Sequence, residues 1–282
     1  MTRKFLATKL DEMSALADEA LNAGEGIRLP DSIPYLYWTH TAGSKAKEPW
    51  DRGGWNCPED VMDKAIEDGR PVPSYFQLFK NDYGTVYHSR SIIIAPFAKR
   101  ERWIDFDSKE AKSHYFEGAR LHRQVVAALA DIVDGKLEFW GIVYITAKGT
   151  IWKSFDQAQK DFAEATKQAR KDFSEKNGLA RTLSANLLFR TVGDITGKVQ
   201  TVGRGNSTSQ VSVMEVKLKK DYSVNDIEIL IIPDEAFEAM ASFMEEHQDW
   251  LHAWDDGGET ASAQDVTTIT TADENINEET PF

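Results

Sequence analysis

The chain has 282 residues, 41% of them hydrophobic, with a formal charge of −13 and a single cysteine, Cys57. That length and apolar content supply a substantial core, while one cysteine excludes an internal disulfide framework and a cysteine-rich zinc site and agrees with a reducing compartment. No apolar run approaches the roughly 20 residues that cross a bilayer, and the N-terminal MTRKFLATKLDEMSALADEA lacks the apolar stretch of a signal peptide, so a cytoplasmic protein without a membrane partner is expected.

Residues 5–22 carry spaced Leu, Met and Ala and read as an amphipathic helix that ends at the Gly24 to Gly26 break. IPYLYWTH reads as a strand, followed by a long polar loop with Lys45, Lys47, Arg52, Gly53 and Gly54. A short helix is expected over 58–69, opened by Pro58, and then a hairpin made of SYFQLFK, the turn NDYG and TVYHSRSIIIAPF. From Trp103 to about residue 130 the chain reads as helical, and LEFWGIVYITAKGTIWKSF as two strands around Lys148 and Gly149. Phe155, Ala158, Phe162, Ala165, Ala169 and Phe173 recur at three- and four-residue steps, one face of a helix that Gly178 ends. Strands at SANLLFRTV and QVSVMEVKLKK flank a loop rich in Gly, Thr and Ser, and a last helix over 234–249 presents Phe237, Met240 and Met244 on one side.

This order predicts an α+β fold: an OB-fold-like five-stranded Greek-key β-barrel with added helices, one of them between the third and fourth strands, whose loops grip an oligonucleotide. Residues 1–254 form the folded domain. Residues 255–282 contain eight acidic side chains and no Lys or Arg, and read as a disordered acidic tail. Setting those eight acids aside leaves −5 of the formal −13 on the folded part, which can therefore still carry a basic groove.

The usual catalytic fingerprints, GxxxxGK[ST], HExxH, CxxC and GxSxG, are missing. Gly203, Arg204 and Gly205 lie between predicted strands, whereas a dinucleotide site needs glycines that open a helix. A non-enzymatic protein without cofactor or bound metal is expected. The enzymatic alternative is a metal-dependent nuclease built on Asp105, Asp107 and Glu110, weighed against a solvated helix start capped by Asp107 or Ser108. A further alternative, suggested by the charge, is an acidic interaction protein or DNA mimic.

The stronger pattern is the interleaving of aromatic and basic residues, because unpaired nucleic acid is held by rings on which bases stack and by cations that follow phosphates. Trp38, Lys45, Lys47 and Arg52 form one set; Tyr87, Arg90, Arg100, Arg102 and Trp103 a second; Lys148, Trp152 and Lys153 a third; Phe189, Arg190 and Arg204 a fourth. On a regular strand Ile151 and Trp152 face opposite sides, which makes Trp152, beside Lys148, the preferred stacking ring.

The tail closes on Glu278, Glu279, Thr280, Pro281 and Phe282. This end resembles the C-terminal tip of bacterial single-stranded DNA-binding proteins, and phage members of that class also pair an OB-fold with an acidic tail. Thr280 stands where an apolar residue is usual, and Asn275, Ile276 and Asn277 interrupt the acids. The resemblance implies a protein that coats single-stranded DNA in replication, recombination and repair. The tail would restrain DNA binding and recruit replication and repair proteins, with Pro281 and Phe282 as the partner contact and Glu278 and Glu279 as its electrostatic support. The length of the body points to a viral version in the host cytoplasm and leaves self-association open.

Overall fold

A computed structural model describes residues 33–39, 53–81, 84–105, 111–112, 115–204 and 207–247. The N-terminal helix expected over 5–22, Lys45, Lys47, Arg52 and the tail with Glu278, Glu279, Pro281 and Phe282 lie outside them.

The strands are β1 (Tyr35–Thr39), β2 (Gly54–Pro58), β3 (Gln77–Asn81), β4 (Gly84–Ser89), β5 (Ser91–Ile104), β6 (Ala111–Lys112), β7 (Arg120–Val133), β8 (Lys136–Lys148), β9 (Arg190–Gly193), β10 (Val199–Arg204), β11 (Ser207–Ser212) and β12 (Glu215–Val216). The helices are α1 (Glu59–Glu67), α2 (Gly149–Asn177), α3 (Val224–Leu230) and α4 (Asp234–Glu246). Ten strands share one sheet in the order β12-β9-β5-β7-β8-β1-β2-β4-β3, with β6 beside β5, and β10 and β11 form a separate hairpin. The fold is thus α+β with a large, mostly antiparallel sheet; β1 and β8 make its parallel pair. The sheet is open, and the five-stranded closed barrel expected from the sequence is not what these strands build.

The sheet nevertheless curls strongly. The Trp55 indole N–H of β2 donates to the Val192 carbonyl of β9 at 2.9 Å, although β5, β7, β8 and β1 separate those two strands in the sheet. Trp55 packs edge-on against Trp38, ring centroids 5.3 Å apart, inside this curl. Burying each such large side chain contributes about 1.5–3 kcal/mol.

The centre of the sheet is apolar on both faces. Every residue of Ile92–Ala98 in β5 and of Val125–Ala130 in β7 is buried, and consecutive residues of a strand point to opposite faces, so both faces are covered. Helix α2 packs on β7 and β8, and α4 packs on β8, with Phe243 edge-on to Phe97 at 5.6 Å. This explains why 120–133 is a strand where a helix was expected: a doubly covered strand loses its polar alternation and reads as an unbroken run of Val, Ala and Leu. Asp134 and Gly135, with φ of 50° and 77°, form the tight turn from β7 to β8, a conformation that the Asp-Gly pair favours.

Three other expectations change. LEFWGIVYITAKGTIWKSF holds one strand, β8, after which the chain turns helical at Gly149, so Trp152 sits on α2 rather than on a strand. The loop rich in Gly, Thr and Ser contains β10, which pairs with β11. Helix α3, not expected, starts from a reciprocal cap in which the Ser223 and Asp226 side chains each bond the other's backbone N–H. The helices α1, α2 and α4 do match their sequence signals, and α2 ends at Gly178 with φ of 69°, a conformation open to glycine.

A polar knot lies where β1, β2 and β4 meet. The Asn56 amide donates to the Thr39 hydroxyl, His88 Nδ1 lies 2.9 Å from Asn56 Oδ1, and the Phe79 ring meets the imidazole edge-on at 5.9 Å. Burial, aided by the positive charge of Arg90, pushes the imidazole of His88 down to about 4. Gly54 is required here, since a Cβ would collide with the His88 ring.

Candidate nucleic-acid interface

Beyond the β-bulge at Pro96 and Ala98, strands β5 and β7 continue together as an arm whose composition differs from that of the sheet centre. Antiparallel register sets Lys99 opposite Val125, Arg100 opposite Gln124, Glu101 opposite Arg123, Arg102 opposite His122 and Ile104 opposite Arg120. On the far side of β7, His122 faces Lys148 of β8, and on the far side of β5, Trp103 faces Lys112 of β6. Arg102, His122 and Lys148 therefore occupy one rung. Lys99, Arg100, Arg102, Lys112, Arg120, Arg123 and Lys148 all hold register positions on this arm and its β6 edge, alongside Glu101, in a chain of net charge −13. Because consecutive strand residues alternate between faces, Arg102, His122 and Lys148 share one face of the arm, and Lys99, Trp103 and Arg123 share the other.

The accessible rings are at the same end. Trp103 is half-buried and meets Tyr115 edge-on, centroids 5.0 Å apart, and Tyr115 is 52% exposed. Trp152, in the first turn of α2, is buried against Phe155 at 5.7 Å. Its indole lies under two cations of the arm, the Arg123 guanidinium at 4.5 Å and the Lys99 ammonium at 5.9 Å from the ring centroid. Cations above an indole are held by its quadrupole without losing their charge, so Trp152 works as a support for arm cations.

The fifteen nucleic-acid residues expected from the sequence thus divide. Arg102 and Lys148 share one rung of the arm, Trp103 holds the next position of β5 on the other face, and Lys153 is exposed on α2. Trp38, Trp152 and Phe189 are interior rings, and none offers a face to a base. Arg100 is buried at the root of the arm, where its Nε donates to Gln124 Oε1 at 2.6 Å. Arg190 is a structural cation: it is buried, donates to the Gln159 side chain and to the carbonyls of Ala185 at 2.8 Å and Leu188 at 3.2 Å, and lies 5.1 Å from the centroid of Phe162. Burial and the neighbouring Arg170 lower its guanidinium to about 9. Arg90 donates to the Asp194 carboxylate at 3.2 Å. Tyr87 has its hydroxyl raised by burial and by Asp63 and Glu59, an acidic surrounding that disfavours phosphate. Arg204 ends β10, in the separate hairpin and on none of the arm's rungs.

Tyr115 and Arg123 were not singled out in the sequence, because a segment read as a helix conceals which residues share a rung. The Asp134-Gly135 pair, a hairpin signal, was the clue that β7 precedes it. Of the nuclease cluster, Asp105 follows β5, and Asp107 and Glu110 lie outside the described residues. Among the described residues no group of three or more His, Cys, Asp or Glu is placed to hold a metal ion, and no helix is long and apolar enough to cross a membrane. Comparison with protein-family models, with curated proteins and with solved structures finds no match for this chain.

Proposed function

We propose that this protein binds single-stranded DNA with little sequence preference and without catalysis, coating exposed strands in replication, recombination or repair. The observation that carries the reading is the placement of six Lys and Arg positions besides the buried Arg100, together with Trp103 and Tyr115, on the β5–β7–β8 arm and its β6 edge in an acidic chain. Cations that follow phosphates and rings that stack on bases are the two parts a strand without a partner requires. Nothing in that pair reads base edges, which accounts for the lack of sequence preference. The OB-type kinship implied by the tail's end rests in this reading on the curl that brings β2 to β9, and not on closure of a barrel. The acidic tail, ending in Pro281 and Phe282, supplies the regulatory and partner-binding part of the proposal.

The test is a titration of the intact chain with oligo-dT at low and at moderate salt, followed by tryptophan fluorescence. Quenching that weakens as salt rises is expected, since each phosphate neutralised on a single strand adds about 0.7 to the dependence of log K on log salt. Unchanged fluorescence together with no binding at low salt would remove the reading.

A further inference from the structure

Next to the arm, the first turns of α2 and the β10–β11 hairpin enclose an open groove of about 550 Å³. Lys153 and Gln157 line it from α2, Lys198 and Gln200 from the hairpin side, and Leu218, 46% exposed, offers an apolar surface within it. Both lysines are exposed, and neither is in an ion pair among the described residues. Two carboxylates also line the groove: Asp161 accepts from Gln157 Nε2 at 2.8 Å, and Glu215 accepts from the Thr196 hydroxyl. The groove also adjoins the arm through one residue step, because Lys153 follows Trp152, the ring beneath Lys99 and Arg123.

We propose that this groove is a second subsite for the DNA strand, holding nucleotides that continue off the arm. The inference rests on the proposed single-stranded DNA binding and extends it to a defined path. Lys153 and Lys198 are point charges on flexible stems, suited to phosphates whose positions vary along a mobile strand. The amide of Gln200 both donates and accepts, so it satisfies the edge of any base, and Leu218 covers its face. The two lysines meet phosphates at the groove's edges while amide and apolar surface meet the base, an arrangement that discriminates little between bases.

The experiment compares the intact chain with its Lys198→Glu variant, using labelled oligo-dT of increasing length. The variant is expected to bind short oligonucleotides as the unaltered chain does, to lose the affinity gained on lengthening, and to occupy fewer nucleotides at saturation. Its salt slope on long oligonucleotides should fall by about 0.7, one phosphate contact's worth. A second variant, Leu218→Ser, removes the apolar surface without changing charge and should lose part of the same length-dependent gain. An unchanged site size and length dependence in both variants overturns the subsite while the arm stands. Failure of the unaltered chain to bind any length overturns the subsite and the proposed function together.

Discussion

Strands β5, β7 and β8 run unbroken through two regions of opposite character. In the inner half, Ile92–Ala98 and Val125–Ala130 are wholly buried between helices; in the outer half, the same strands carry Lys99, Arg102, Arg120, Arg123 and Lys148. The hydrogen-bond ladder is the same kind in both, so the backbone does not make the difference. Side-chain chemistry does: the inner half gains stability by leaving water, whereas the outer half places cationic residues on both faces of the ladder. A bulge at Pro96 and Ala98 stands at the change. Bulges bend and twist a strand, which turns the outer half away from the packed centre.

The comparison is broken most forcefully at Trp55. Trp55→Ala removes a fully buried indole and its bond to the Val192 carbonyl, and should cost about 3–5 kcal/mol in urea unfolding. The folded fraction should keep the salt slope of DNA binding. A loss below about 1 kcal/mol, inside the range of surface substitutions, would show that the curl does not depend on that contact.

The outer half should respond in the opposite way. Arg102→Ala/Lys148→Ala, on one rung of the arm, should leave the unfolding midpoint nearly unchanged and lower the salt slope of oligo-dT binding by about 1.4. If stability falls instead and the slope holds, the arm is structural, and the division between the halves fails.

The smallest effect concerns the buried knot and is confined to acidic solution. The imidazole of His88 is lowered to about 4 in the folded chain from an ordinary value near 6.5, so the unfolded chain takes up the proton first. Stability contributed by neutral His88 is therefore full above about pH 6.5, declines as pH falls through the interval, and levels off below about pH 4. His88→Gln should flatten this part of a plot of unfolding free energy against pH. A slope that survives the substitution would assign the dependence to another group.

Local patterns made part of this molecule readable. A near-continuous run of β-formers marks β1, Pro58 and Pro233 open α1 and α4, and the Phe and Ala spacing followed by Gly178 delimits most of α2, because each is a signal within a few neighbouring residues. The reading failed at β7 because burial on both faces erased the period on which a strand is recognised, and at Trp152 because the helix begins sooner than its apolar spacing suggested. The candidate site was half legible: Arg102, Trp103, Lys148 and Lys153 stand out as basic or aromatic residues, but so do Trp38, Phe189 and Arg190, which the fold has taken inside.

By itself, the sequence determined what kinds of side chain were available: an apolar core, rings, cations on the body and acids concentrated in the tail. Only the tertiary structure decided which rings are interior and which cations share a rung, as Arg102 does with His122 and Lys148. The physical reason is that residue type belongs to each position alone, whereas burial and strand register are set by pairing between segments far apart in the chain.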